Sequence, residues 1–314
     1  MARKSDVFQF WWLPTNKKVV ISEGNTISNE VKGNAKTMMT PNVSPLSAYF
    51  SNYFVEFLQY MNHTYLMNQV QKDTEDSLYK AVYSKDGIFI DEDGRFINPA
   101  IGYSYKLMAN KCHACAWGNG IDKLLVLPVD LAISLPLSRF PEVIADMNKI
   151  FQLHPTPFPW FGLFFRFSTP TRGIMSLANR EEYFHIEWLN ILRKNQFEDA
   201  PFGMSISQSI YQLFVIKYGG RPHWGKTGLA YLNYGSISSR YDLELFQQAM
   251  QKYDPNGLFL NKFGKRLLRS GDEAYDIPSK VTRCAILNYC ICKKDSDCPI
   301  NYKCGNLVGY NVCY

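Results

Sequence analysis

No run of 18 apolar residues occurs among the 314, so the chain encodes no helix able to cross a bilayer. A secretory leader is also missing. Met-Ala-Arg-Lys-Ser-Asp-Val-Phe-Gln-Phe leads straight into a strand-like segment, with no apolar core and no small-residue cleavage site. There is no strong charge bias. The 34 Lys and Arg stand against 28 Asp and Glu, and the resulting +6 is spread along the chain, which argues against nucleic acid as a partner. No repeat of about 20–50 residues is visible, which excludes solenoids and propellers. Cysteine is nearly absent from the first 283 residues, which hold only Cys112 and Cys115.

The other six cysteines crowd into the last 31 residues: Cys284, Cys290, Cys292, Cys298, Cys304 and Cys313. This polar tail has too little apolar mass for a core of its own. Disulfides are the usual substitute, and they persist where the redox poise is oxidising. The rival reading, a zinc knuckle, has less behind it, because no histidine follows Cys284 and no two C-x-x-C knuckles occur. Six cysteines allow fifteen pairings, and the sequence does not choose among them. An oxidising tail without a leader implies export information outside this chain, or a longer parent. A redox-active Cys112/Cys115 pair is disfavoured, since nothing nearby reads as a thioredoxin-like βαβ unit.

The remainder is 46% hydrophobic and 15% aromatic, ample for a packed core. Val7–Leu13 and Val19–Ile21 read as strands joined by a turn, and residues 22–44 as a long polar loop. Leu46–Met61 carries apolar, mostly aromatic residues at helical spacing after a Ser44-Pro45 start. It reads either as a core-facing helix or as one lying on a membrane surface. Asn42 and Asn62 head glycosylation sequons. Ile88–Ile90 and Arg95–Ile97 form a hairpin about an acidic turn that lacks the ligand spacing of a calcium loop. Leu124–Pro136 and Leu163–Phe167 are strands, the second with Arg166 in its middle. Helices follow from Ser138, over Ile206–Lys217 up to Gly219-Gly220, and from a capping box at Ser239–Asp242 up to Asp254-Pro-Asn-Gly. This irregular interleaving predicts an α+β fold, an antiparallel sheet with helices on one face.

One loop concentrates chemistry. In Tyr218-Gly-Gly-Arg-Pro-His-Trp-Gly-Lys226 two glycines free the backbone after a helix, and Arg221, His223 and Lys226 then follow around Trp224. Histidine exchanges protons near neutral pH, and lysine or arginine can hold a developing anion. The bland alternative is a surface loop anchored by its tryptophan.

The wording of that loop, with Tyr253-Asp-Pro-Asn-Gly-Leu-Phe-Leu-Asn261 downstream, resembles the sugar-1,4-lactone oxidases, flavoenzymes of the vanillyl-alcohol-oxidase fold. The resemblance covers most of the chain. Phe8–Pro14 is similar to the first strand of their substrate (cap) domain, and Tyr53–Leu58 to the hydrophobic insert of membrane-associated members. Ala114-Cys-Ala-Trp117 and the Cys284–Cys313 tail are similar to the plant-type gulonolactone oxidases.

The resemblance implies a cap domain over residues 1–275 and a cysteine-rich tail over 276–314. It implies hydride transfer from a lactone carbon beside a hydroxyl to FAD, with O₂ as acceptor and an ascorbate-type product. His223, Trp224, Gly225 and Lys226 would face the flavin, and His223, Lys226 and Arg166 the lactone. Some members carry a glutamate two residues before that arginine, where this chain has Phe164. The family's FAD-binding domain, with its phosphate-binding backbone, has no counterpart here. The expectation is therefore a substrate-side chain that uses an FAD-binding domain in cis or in trans, in the secretory pathway or outside the cell. The alternative is a non-catalytic secreted or membrane-surface module derived from the same domain.

Overall fold

The computed structural model describes residues 3–38, 53–54, 57–58, 61, 63–80, 88–108, 126–153, 158–159, 162–193, 203–226, 228–268 and 281–314. Strands β1 (Val7–Leu13) and β2 (Lys18–Gly24) form the first hairpin, followed by β3 (Thr37–Met38) and helix α1 (Thr64–Leu78). Next come β4 (Phe89–Ile90), β5 (Phe96–Ile97), α2 (Ser104–Met108), β6 (Val126–Pro136) and α3 (Phe140–Leu153). Then follow β7 (Leu163–Ser168), β8 (Tyr183–Arg193), α4 (Met204–Ile216) and β9 (Arg221–Pro222). The chain closes with α5 (Tyr234–Ile237), α6 (Leu243–Tyr253), α7 (Lys262–Leu268), β10 (Cys304–Leu307) and β11 (Tyr310–Cys313). Six strands make one antiparallel sheet in the order β2-β1-β7-β8-β6-β9. The α+β class, the antiparallel sheet and the flanking helices match the sequence reading.

Alternation sorts the strand residues between two faces. Phe10 and Trp12 of β1, Leu163 and Phe165 of β7, Phe184, Ile186 and Trp188 of β8, and Leu131, Ile133 and Leu135 of β6 share the inner face. There α3 adds Val143, Met147 and Ile150, and α4 adds Ile206, Ile210, Leu213 and Phe214. Phe10 stacks on Phe165 at 4.5 Å, and Phe140 meets Phe184 edge-on at 4.9 Å. Each fully buried side chain of this size contributes about 1.5–3 kcal/mol. The other face of the sheet carries the polar residues described below.

Helix α1 escapes a reading based on hydrophobic period, and strand β8 is absent from the sequence reading. The buried stripe of α1 is Met67, Gln71 and Glu75, spaced four apart but mostly polar. Hydrogen bonds hold these groups in place. Gln71 donates to Glu75 (3.1 Å) and to the Pro159 carbonyl, and the Asn16 amide donates to Glu75 (2.9 Å), pinning α1 to the β1–β2 turn. Burial raises the Glu75 pKa against those hydrogen bonds. Strand β8 mixes aromatic residues with His185, Glu187 and Asn190, yet it is central to the sheet. Two expected helix starts also need correcting. Ser138 lies inside a 3₁₀ turn, Leu137–Arg139, rather than capping α3. Helix α6 is capped by Asp242, whose carboxylate accepts the Leu245 amide at 3.2 Å, and not by Ser239.

The tail is cross-linked as Cys284–Cys290, Cys292–Cys304 and Cys298–Cys313, so its sulfurs are not thiolates offered to a metal. It docks on α4 through a polar ladder. Ser205 donates to the Cys313 carbonyl (2.5 Å), Gln208 bonds the Ala285 carbonyl (3.0 Å) and the Cys313 amide (3.0 Å), and Gln212 donates to the Asn311 carbonyl (2.7 Å).

The hairpin about Asp91 forms as expected, with Asp91 accepting the Asp93 and Arg95 amides. Most of Leu46–Met61, the first sequon, Asn62 of the second, Cys112, Cys115 and the 275/276 boundary lie outside the described residues. Within Leu46–Met61, Tyr53, Phe54, Phe57 and Leu58 are helical, the first three exposed and Leu58 buried. Among the described residues no helix is long and apolar enough to cross a membrane.

Candidate active site

The two glycines after α4 are used for different reasons. Gly219 turns with φ +62°, and the Gly220 amide closes on the Phe214 carbonyl at 2.8 Å. A Cβ on Gly220 would lie 2.7 Å from Ile133 Cδ1 and 2.8 Å from the Phe214 carbonyl oxygen, so only glycine fits. This close approach brings the chain back onto the sheet edge as β9, where Arg221 pairs with Ser134 and Pro222 with Ile133. The pairing continues one step, with the His223 amide donating to the Ala132 carbonyl at 3.0 Å.

Paired positions on adjacent antiparallel strands share a face. The register therefore builds rows across the polar face of the sheet. One row runs Gln9, Arg166, His185, Ser134, Arg221, and the next runs Trp11, Phe164, Glu187, Ala132. Asp130 follows two residues before Ala132 on β6. Ala132 is small, and Lys226 extends over this part of the face to the carboxylates on either side. Its ammonium is bonded to Asp130 and lies 3.2 Å from Glu187 Oε1. Burial, and then Glu187, push the Asp130 carboxyl up to about 6, against the pull of Lys226 and Arg166. Burial opposes the charge on Lys226, but the two carboxylates overcome it and raise the lysine pKa.

His185 sits under the next row. Its Nδ1 is 2.6 Å from Ser134 Oγ and its Nε2 2.6 Å from Ser168 Oγ, a bridge across β6, β8 and β7. Burial, then the charge of Arg166, bring its pKa down to about 4, so the ring is neutral. His223 is also shifted down, first by burial and then by Lys226. Its Nδ1 accepts the Gly225 amide at 3.1 Å, which leaves the proton on Nε2. Arg166 is exposed on the face, its guanidinium 4.6 Å from the Phe164 ring centre, and among the described residues no carboxylate pairs with it.

Trp224 points elsewhere. Its indole N–H donates to the Met175 carbonyl (3.1 Å) and its ring packs on Tyr241 at 5.1 Å, anchoring the loop that carries His223 and Lys226. A Cβ on Gly225 would meet only His223 at ordinary contact distance, so packing does not demand glycine there. Arg221 clamps the loop from the other side. It lies between Tyr183 and Tyr241, with centroid distances of 4.8 and 5.0 Å, and donates to the Arg240 carbonyl.

The structure brings Arg166, His223 and Lys226, three residues singled out in the sequence, to one face of the sheet. It adds Asp130, Glu187, His185, Ser134 and Ser168, which the sequence reading missed. The available signal was the period-two pattern of Phe184-His-Ile-Glu-Trp188, apolar on one face and ionisable on the other.

Comparison with known proteins bears on this face. A family model described as D-arabinono-1,4-lactone oxidase matches residues 1–267. Two relatives from Arabidopsis thaliana, L-gulonolactone oxidase 5 and L-gulonolactone oxidase 2, are each 23% identical over 94% of this chain. A third, probable truncated L-gulonolactone oxidase 7, mitochondrial, from the same plant, is 24% identical over 55% of this chain and 69% of its own length. The chain spans about half the length of the first two, 51% of each.

Proposed function

Because the chain belongs to the D-arabinono-1,4-lactone oxidase family, we propose that its polar sheet face forms the substrate side of an FAD-dependent sugar-1,4-lactone oxidase. The carrying observation is the placement of Lys226 over Asp130 and Glu187, beside Arg166 and the Nε2–H of His223. The donor set fits a flavin ring and a lactone. It offers a guanidinium without a carboxylate partner among the described residues, an imidazole N–H and a lysine already balanced by carboxylates. Arg166, His223 and Lys226 would hold these groups, with Trp224 and Gly225 carrying the loop. Bound there, a flavin would supply the hydride acceptor for the lactone carbon, with O₂ as the onward electron acceptor.

The chain's own share is positioning and charge. Arg166 projects from β7 to bind lactone oxygens. The neutral His223 donates a hydrogen bond from Nε2. Trp224 and Arg221 hold the loop so that these groups do not drift, because displacement by about 1 Å costs on the order of 10²-fold in rate. We place this chemistry in the cap domain of a vanillyl-alcohol-oxidase fold, working with an FAD-binding domain. Three disulfides in the tail support an oxidising compartment, and the exposed Tyr53, Phe54 and Phe57 support contact with a membrane surface.

The test is lactone-dependent peroxide formation by this chain with FAD and a flavin-binding domain, on gulono-, galactono- and arabinono-1,4-lactone. Turnover on at least one is expected, and His223→Ala or Lys226→Met should lower it roughly 10²-fold or more. Silence on all three sinks the oxidase reading and leaves the non-catalytic module.

A further inference from the structure

Resting on the oxidase reading above, we infer that Glu187 accepts the hydroxyl proton of the lactone, with Lys226 holding it in place beside Asp130. Oxidising a CH–OH carbon to C=O removes a hydride and a proton, and the proton needs an acceptor on the protein side of the substrate. Arg166 and Lys226 have no lone pair to offer. The outward nitrogen of His223 already carries its proton, because Nδ1 is the acceptor of the Gly225 amide. Both nitrogens of His185 are engaged by Ser134 and Ser168.

Two carboxylates remain. Asp130 is bonded to Lys226, and burial together with Glu187 drives it towards its protonated form. Glu187 meets Lys226 through Oε1 at 3.2 Å, and among the described residues no donor reaches Oε2. Its side chain is 33% exposed, open to a ligand on one side and shielded on the other.

The register fixes what surrounds it. Glu187 lies directly across from Phe164 on β7 and from Ala132 on β6. The Arg166–His185 pair forms the neighbouring row, with the Arg166 guanidinium over the Phe164 ring. A lactone oxygen held by Arg166 would thus lie one row from the free oxygen of Glu187. Phe164 itself offers no proton acceptor, and the adjacent strand sets a carboxylate at the paired position. The charged and titratable groups facing Glu187 are Asp130 from β6, Arg166 from β7, His185 from β8, and His223 and Lys226 from the loop after β9.

The step balances. The C–H bond breaks with its electron pair leaving as hydride to the flavin. The O–H bond breaks, its pair completes the C=O, and the proton passes to Glu187 Oε2. The substrate is oxidised by two electrons and the flavin reduced by two. Dioxygen then takes the two electrons with the hydrogen that left as hydride, and the proton that Glu187 releases to water balances the second proton of hydrogen peroxide.

The deciding measurement is steady-state kinetics of the FAD-loaded oxidase containing this chain, across pH. Glu187→Gln keeps the shape and removes the acceptor, so kcat should fall roughly 10²-fold or more with KM changed less than about 3-fold. Phe164→Glu combined with Glu187→Gln returns a carboxylate to the paired position and should recover about 10-fold or more of that loss. A wild-type kcat for Glu187→Gln overturns the inference, as does a wild-type kcat independent of pH from about 4 to about 9. A wild-type oxidase silent on every lactone overturns the oxidase reading and the inference together. In the 314-residue chain without flavin, ¹³C NMR of the Asp130 carboxyl, titrating at about 6, should show its midpoint moving to lower pH in Glu187→Gln. An unmoved midpoint overturns the placement of Glu187 beside Asp130 on which the inference stands.

Discussion

Asp130 on β6 and His185 on β8 share one face of the sheet, and burial shifts them in opposite directions, the carboxyl up to about 6 and the imidazole down to about 4. Each therefore favours its neutral form, and each links folding to pH with the opposite sign. Asp130 binds its proton more tightly folded than unfolded. Its stabilising contribution is complete below the unfolded carboxylate value, near 3.9, and is lost as pH rises through about 6. His185 binds its proton less tightly folded. Its contribution is complete above the unfolded histidine value, near 6.5, and is lost as pH falls towards about 4.

The two terms oppose each other between about pH 4 and 6.5, so each substitution should unmask the other residue. Relative to wild type, Asp130→Asn should make stability rise more steeply with pH across that window, and His185→Gln should make it fall. Each change is at most ~3 kcal/mol. Denaturant unfolding at several pH values checks this. Parallel pH profiles for wild type and both variants would refute the shifts.

Gly220→Ala should destabilise the fold by about 1–3 kcal/mol, because the added methyl meets Ile133 and the Phe214 carbonyl at under 3 Å. The damage should reach the site, since the same approach seats β9 and the His223–Lys226 loop. Gly225→Ala should be near neutral in stability by comparison. Equal unfolding midpoints for the two variants would contradict the packing.

The tail should carry Cys284–Cys290, Cys292–Cys304 and Cys298–Cys313, and mass spectrometry of unreduced peptides should recover those three pairs. Losing Cys298–Cys313 as a double serine variant should cost about 2–4 kcal/mol. Six alkylatable thiols in the freshly isolated protein would reject the pairing outright.

Gln208→Ala should cost about 1–3 kcal/mol, because it removes the acceptor of the buried Cys313 amide and one of the two donors to the Ala285 carbonyl. Its amide contacts residues of both Cys284–Cys290 and Cys298–Cys313 neighbourhoods, so hydrogen exchange should quicken in the tail rather than in the sheet. Unchanged exchange at the Cys313 amide, which donates to Gln208, would count against the ladder.

Local chemistry made much of this protein legible in sequence. The crowding of six cysteines marked an oxidised tail because a short polar segment has no other route to rigidity. The glycine pair marked a helix stop, because that signal acts within a few residues. What depended on distant partners was hidden. Helix α1 buries Gln71 and Glu75, and only the β1–β2 turn and the Pro159 carbonyl make that tolerable. Trp224 read as facing a ligand, and it instead anchors on Met175 and Tyr241. Asp130 and Glu187, 57 positions apart in the chain, become one site because antiparallel register sets β6 beside β8 and a loop 39 residues beyond Glu187 lays Lys226 between them. The sequence determined which residues could carry charge and where the chain had to turn. Only the sheet decided which of those charges meet, because register is set by the burial of the opposite, apolar face rather than by the polar residues themselves.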